Sequence, residues 1–216
     1  MEGISFERIS SFVKSYISDD EGLLGQIYSE AIRDRVPVMR PETREFLKTQ
    51  LIMKKPMQLL EIGTAVGYSS IYMSQFLGEG GKITTIELDE ERVKIARANI
   101  EAMDLSQVIS VIQGDAYEVL KTLPDDTYDF AFVDAAKGQY INYYPDVMRV
   151  VKAGGIIISD NILQDGDVLE SHFTVDKRNR TIHDRMREYI YTITHDERLD
   201  TAILSVGDGV AISVKK

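Results

Sequence analysis

Gln58-Leu-Leu-Glu-Ile-Gly-Thr-Ala-Val-Gly-Tyr-Ser-Ser-Ile-Tyr-Met-Ser74 decides how the rest of the chain is read. Leu59, Leu60 and Ile62 form a short apolar run of the kind found in a buried parallel strand. Gly63 to Gly67 make a turn of small residues, and residues 68–77 read as the helix after it. A strand, a glycine turn and a helix in succession aim backbone N–H groups and a positive dipole end at a ligand. The dinucleotide fingerprint G-x-G-x-x-G is not met, because residue 65 is Ala and the glycines are Gly63 and Gly67. With Glu61 at the strand end, Glu-x-Gly-x-x-x-Gly-Tyr-Ser suits a small zwitterionic nucleoside better than a pyrophosphate. S-adenosylmethionine is the ligand it points to. A glycine turn that packs without a ligand is the alternative for this stretch alone.

Downstream, the alternation repeats. Residues 82–86, 108–112, 128–133 and 155–159 read as strands, separated by helices over 89–103, 116–123 and about 140–151. Such alternation calls for a parallel sheet covered by helices on both faces. An irregular polar stretch over 161–176 leads into a long helix, 177–195. Strands over 201–206 and 209–214 then close the chain about Gly207-Asp208-Gly209, a hairpin signal. Upstream, residues 6–17 and 23–35 carry apolar side chains at helical spacing, among them Phe6, Ile9, Phe12 and Val13. Pro41 opens a third helix that Lys54-Lys55-Pro56 ends. The chain is read as one domain, 1–216, with a helical lead (1–55) and an α/β core (56–216).

At 216 residues, with 44% hydrophobic and 28% charged content, the chain can bury an ample core. It has no cysteine, which excludes disulfides, a thiolate nucleophile and thiolate metal ligands. The first residues lack the basic and apolar segments of a signal peptide, and no apolar run approaches membrane-spanning length. A cytoplasmic location without a membrane partner is the expectation. The net charge of −10 argues against a protein that coats nucleic acid over its whole surface, but leaves room for a local basic face.

In an open parallel sheet, ligands sit beyond the carboxyl ends of the strands. There this chain places Glu61 with Gly63, then Glu87, Asp115, Asp134 and Asp160-Asn161. Glu87 is positioned to accept from both ribose hydroxyls, or else to cap the helix that follows. Asp115 with the Ala116 N–H suits an adenine edge, and Asp115 also suits a helix N-cap. Asp134, Asp160 and Asn161 make an all-oxygen set fitted to Mg²⁺ or another hard divalent cation rather than zinc. An ion there would lower the pKa of an acceptor hydroxyl. Lys137, three residues after Asp134, is placed to take a proton or steady an anion, with a solvated loop lysine as the alternative. His172, His183 and His195 fall in no metal-ligand spacing and read as surface or packing residues. No Gly-x-Ser-x-Gly occurs.

Four segments occur in a familiar order: Leu60-Glu-Ile-Gly-Thr-Ala-Val-Gly-Tyr-Ser69, Phe132-Val-Asp-Ala-Ala-Lys-Gly-Gln-Tyr-Ile-Asn-Tyr-Tyr144, Ser159-Asp-Asn161 and Val206-Gly-Asp-Gly-Val-Ala-Ile-Ser213. Through them the chain resembles, from about Val38 onward, the cation-dependent class I O-methyltransferases that include catechol and caffeoyl-CoA O-methyltransferases. The resemblance implies an α/β fold: a Rossmann-like methyltransferase sheet of seven strands, the last antiparallel. It implies Asp134, Asp160 and Asn161 as metal ligands, and cofactor contacts from Met39, Ser69, Glu87, Asp115, Ala116 and Asp134. Lys137 would be the catalytic lysine.

The loop after the metal-binding segment, Leu163-Gln-Asp-Gly-Asp-Val-Leu-Glu-Ser-His-Phe-Thr-Val175, departs from the catechol and plant enzymes, and the chain has no tryptophan. Within the family, the chain most resembles the bacterial branch that methylates 5-hydroxyuridine at the tRNA wobble position to 5-methoxyuridine. That branch shares the Asp-Ala-Ala-Lys-Gly-Gln-Tyr segment and a basic run in this place. Here the run holds Lys177, Arg178, Arg180, Arg185 and Arg187 against Asp176 and Asp184. Such a cluster suits a phosphate backbone, with Lys177, Arg178 and Arg180 as RNA contacts; a solvated helix face is the alternative. The function expected is therefore metal- and S-adenosylmethionine-dependent O-methylation of tRNA, or else of a small catechol-like acceptor. A binding protein without turnover would show a damaged metal triad, and the triad is intact. The lead, with Phe12, Tyr16, Leu23 and Leu24, reads as a cover for the cofactor or as a homodimer seam.

Overall fold

The computed structural model describes residues 6–216, with side chains from Glu7 onward. The reading of the first residues as free of a leader, and the Phe6 side chain, lie outside them. The lead is three helices, α1 (Phe6–Lys14), α2 (Gly22–Arg33) and α3 (Pro41–Lys54). Five strands then run parallel: β1 (Gln58–Ile62), β2 (Lys82–Glu87), β3 (Ile109–Gln113), β4 (Tyr128–Val133) and β5 (Val151–Ser159). The last strand, β7 (Val210–Lys215), lies antiparallel between β5 and β6 (Leu199–Leu204). The order across the sheet is β3-β2-β1-β4-β5-β7-β6, the seven-stranded Rossmann-like arrangement expected. Sequence order turns back between β1 and β4, and a crevice opens there at the carboxyl ends.

The apolar run of β1 feeds two cores, because successive side chains point to opposite faces. Leu60 and Ile62 join the core under α6 (Ala116–Thr122), α7 (Tyr140–Val150) and α8 (Arg180–His195). Leu59 joins the core under α2, α3, α4 (Tyr68–Ser74) and α5 (Glu90–Ala102). All three side chains are wholly buried. Each contributes about 1.5–3 kcal/mol relative to exposure, which makes β1 a stable base for the turn that follows.

Element boundaries differ from expectation where side chains reclaim backbone. α8 begins at Arg180, not at Lys177. The Arg180 guanidinium donates to the Phe173 and Val175 carbonyls, and Asn179 Nδ2 donates to Asp167, so residues 176–179 form a turn. β5 begins at Val151, which pairs with Tyr128 across a register shift. The polar stretch after β5 contains a 3₁₀ segment, Gln164–Leu169. The closing hairpin is wider than expected: β6 ends at Leu204, and Gly209 N–H donates to the Val206 carbonyl at 2.8 Å.

Candidate active site

A cavity of about 590 Å³ lies at the carboxyl ends of the parallel strands. The glycine turn after β1 forms its floor. Gly63 has φ 103°, and a Cβ there would sit 2.0 Å from the Asp134 carbonyl oxygen, so only glycine lets β1 and β4 approach. Ala65 is left-handed at φ 46°, a conformation that disfavours a side chain. Its N–H donates to Glu87 Oε2 at 2.8 Å, which ties the strained turn to the end of β2.

Around this floor the chain brings together residues distant in sequence. Met39, Gly63, Ser69, Glu87, Asp115 and Ala116 line the cavity, as do Asp134, Lys137 and Asn161. Pro37, Val38 and Met39 bring the lead over the crevice. Asp115 meets both readings considered for it, whereas the cap of α5 is Asp89, which accepts from the Arg92 N–H at 2.9 Å, so Glu87 is not the helix cap. Glu87 Oε1 accepts from the Leu88 and Asp89 N–H groups at 3.0 Å, and Asp115 caps α6 through the Tyr117 N–H at 2.9 Å, while both face the cavity.

Glu61 and Gly67 stand apart from the cavity lining. Glu61 is wholly buried in β1 opposite Thr85 and accepts from the Thr85 hydroxyl at 2.6 Å and from the Ser70 hydroxyl. Burial pushes its carboxyl up to about 7, against the opposing pull of the Ser69, Ser70 and Thr85 hydroxyls. It braces the turn from behind. Gly67 (φ 85°) is the N-cap of α4, where a Cβ would press on Ala96.

Asp134 and Asp160 end β4 and β5 side by side. Asp160 is 1% exposed; its Oδ1 accepts from the Asn161 N–H at 2.8 Å and from the Thr43 hydroxyl at 3.4 Å. Its Oδ2 is buried with no partner. Burial raises both carboxyls above the usual range, Asp160 further through the neighbouring Asp134, while Lys137 pulls Asp134 down. Asp134, half-buried at the cavity wall, and the buried Asp160 with its bare oxygen, beside Asn161, fit a hard divalent cation. Tyr140 braces both strand ends by sharing its one O–H between the Val133 and Asp160 carbonyls, at 3.2 and 3.1 Å.

Asp208 is the functional neighbour that sequence reasoning missed. It is buried in the closing turn, pairs with Lys137 Nζ at 3.3 Å and accepts from the Asp165 N–H at 2.6 Å. Arg40 in turn holds Asp165 at 2.6 Å. Gly207 packs so close to Thr43 that a Cβ would lie 2.4 Å from its hydroxyl. Thus α3, the closing turn and the loop after β5 jointly position Lys137 and Asp160. The signal was the Gly-Asp-Gly itself, legible as a turn but not as a charge facing Lys137.

The basic segment divides. Arg180, Arg185 and Arg187 donate to backbone carbonyls of Phe173 and Val175, of Gly138, and of Val168 and Glu170. Lys177 and Arg178 are exposed, Arg178 at 84% with only a 3.9 Å approach to Asp176. Phe173 is also 84% exposed. His172 and His183 meet at Asp184, whose carboxyl their hydrogen bonds hold below the usual range. His195 stacks on Tyr191. No helix among the described residues is long and apolar enough to cross a membrane.

Comparison with known proteins agrees with this geometry. The family model described as O-methyltransferase matches residues 14–216. The chain belongs to the O-methyltransferase family. This methyltransferase is 35% identical to the caffeoyl-CoA O-methyltransferase of Stellaria longipes over 178 residues, 79% of this chain and 73% of the relative. It is 28% identical to the catechol O-methyltransferase of Niastella koreensis, over 78% of this chain and 79% of that one. The crystal structure of the Bacillus cereus O-methyltransferase in complex with SAH superposes with a TM-score of 0.84 at 26% identity, covering 97% of each chain. The enzyme class expected from the sequence, an S-adenosylmethionine-dependent O-methyltransferase, therefore stands.

Proposed function

We propose that this enzyme transfers the methyl group of S-adenosylmethionine to the 5-hydroxyl of hydroxyuridine in tRNA, with a divalent cation held by Asp134, Asp160 and Asn161. The observation that carries the cation dependence is the buried, unpartnered Asp160 Oδ2 beside Asp134 at the cavity edge. A Mg²⁺ ion there supplies Lewis acidity that makes an acceptor hydroxyl a better nucleophile near neutral pH. The protein's own part is placement. The glycine turn, Ser69, Glu87, Asp115 and Ala116 would hold the nucleoside and amino-acid ends of the donor, with Glu61 bracing the turn. Lys137, fixed by Asp208, would steady the negative charge on the oxygen once the hydroxyl has passed its proton to water. The O–CH₃ bond then forms as the S–CH₃ bond breaks, and S-adenosylhomocysteine leaves. Alignment of this kind gives effective molarities of roughly 10⁵ M or more.

The acceptor reading rests on the loop after β5. Lys177 and Arg178 present charge to solvent, and the exposed Phe173 offers a ring on which a base can stack. Arg180, engaged with two carbonyls, contributes by shaping that loop. The relatives named for catechol and caffeoyl-CoA support a small phenolic acceptor as the second reading. Methyl transfer to bulk tRNA containing hydroxyuridine, beside a catechol panel, tests the choice: turnover of catechols with none on tRNA would reverse it. Cytoplasmic action goes with a tRNA substrate. A homodimer would use α1 and the turn after it, where Ile9, Phe12, Val13 and Tyr16 are exposed. Sedimentation of a Phe12→Glu variant tests that, since an unchanged mass would remove α1 from the seam.

A further inference from the structure

Outside the active site, one cluster among the described residues brings metal-binding side chains together: His172 in the loop after β5, and His183 and Asp184 near the start of α8. Their donor atoms lie within 4.8 Å of one another. His172 Nδ1 is 2.8 Å and His183 Nδ1 is 3.0 Å from the same oxygen, Asp184 Oδ1.

His183 makes this more than a surface ion pair. It is 2% exposed, and its Nε2 lies 3.1 Å from the Glu170 carbonyl. A carbonyl oxygen only accepts, so Nε2 carries the hydrogen. In the neutral ring Nδ1 then bears a lone pair, and it faces a carboxylate that also only accepts. Something positive must sit between them, a second proton or a metal ion. An imidazole that donates its other N–H to a backbone carbonyl is also the usual state of a metal-ligating histidine. His172 and Asp184 are partly exposed on the outer side, which leaves a route in for an ion and an open coordination position.

We propose that His172, His183 and Asp184 form a second cation site, selective for transition metals, that fastens the loop after β5 to the start of α8. Two imidazoles and one carboxylate suit Zn²⁺, Co²⁺ or Ni²⁺, whereas Asp134, Asp160 and Asn161 suit a hard ion. A bound ion would restrain residues 171–179, the segment that carries Phe173, Lys177 and Arg178.

The test uses the full chain, stripped with chelator, saturated with Mg²⁺ and then titrated with Co²⁺. Wild type should take up one Co²⁺ with the visible absorption of a nitrogen-ligated ion. His172→Ala and Asp184→Asn, both at partly exposed positions, should weaken that uptake by about 100-fold or more, while Asp160→Asn leaves it intact. Zn²⁺ should slow hydrogen exchange over 171–179 in wild type and not in His172→Ala. Equal Co²⁺ titrations for wild type and His172→Ala, loss of uptake in Asp160→Asn alone, or no uptake at all would each overturn the proposal.

Discussion

Glu87→Gln separates two jobs that one carboxylate holds at once. In the structure Glu87 accepts from three backbone N–H groups, Ala65 at 2.8 Å and Leu88 and Asp89 at 3.0 Å. A carboxylate offers about four acceptor sites, so about one remains for a ribose hydroxyl. The amide swap removes the charge and turns one end into a donor facing a backbone N–H. Leaving one buried donor unpaired costs about 1–3 kcal/mol. For a chain of this size that lowers Tm by roughly 2–12 °C. Loss of one charge-assisted bond to ribose costs about 1.5–3 kcal/mol of binding, which raises the Kd for S-adenosylmethionine by about 10- to 150-fold. Titration calorimetry and scanning calorimetry on the same preparation read the two effects apart. A lower Tm with an unchanged Kd would refute the ribose role and leave Glu87 as a clamp on the glycine turn.

Asp208→Asn keeps an acceptor for the Asp165 N–H but removes the charge 3.3 Å from Lys137. Steady-state kinetics should show turnover down by about tenfold or more with cofactor affinity unchanged. Replacing Lys177 and Arg178 together with alanine should flatten the slope of log affinity for tRNA against log salt by about 0.7–0.9 for each phosphate no longer neutralised. Equal slopes for the double variant and wild type would remove the RNA face. Gly63→Ala forces a Cβ to 2.0 Å from the Asp134 carbonyl at φ 103°, and a melting curve should fall by about 6–12 °C for about 3 kcal/mol of strain.

What the sequence made legible was local. Gly63 and Gly67 mark the turn because the φ requirement and the approach of β4 act within a few residues of β1. Glu87, Asp115, Asp134 and Asp160 follow apolar runs, so strand periodicity alone sets them along one edge. Partnerships across the fold were not legible. Asp208 meets Lys137 from 71 residues away, and Thr43 meets Asp160 from 117. Both depend on α3 and the closing turn packing together. The basic run illustrates the converse: Arg180, Arg185 and Arg187 read as a charged face, yet in the fold they satisfy backbone carbonyls. Likewise Glu61 reads as a ligand contact from its place in the motif, whereas its position opposite Thr85 turns it inward. His172 and His183 lie eleven positions apart, outside any helical metal spacing, until the loop folds back onto α8.

Methyl transfer as proposed depends on a divalent cation at Asp134, Asp160 and Asn161, with the cofactor bound independently of Asp160. Asp134 lines the 590 Å³ cavity, whereas Asp160 lies outside its lining. The direct measurement is methyl transfer from labelled S-adenosylmethionine in chelator and across a Mg²⁺ titration, for wild type and Asp160→Ala, with cofactor affinity measured alongside. Chelator should abolish wild-type turnover and Mg²⁺ should restore it, whereas Asp160→Ala should stay inactive at every Mg²⁺ concentration while binding the cofactor like wild type. Turnover that persists in chelator, or an Asp160→Ala variant that loses cofactor affinity as Glu87→Gln does, would contradict the proposal.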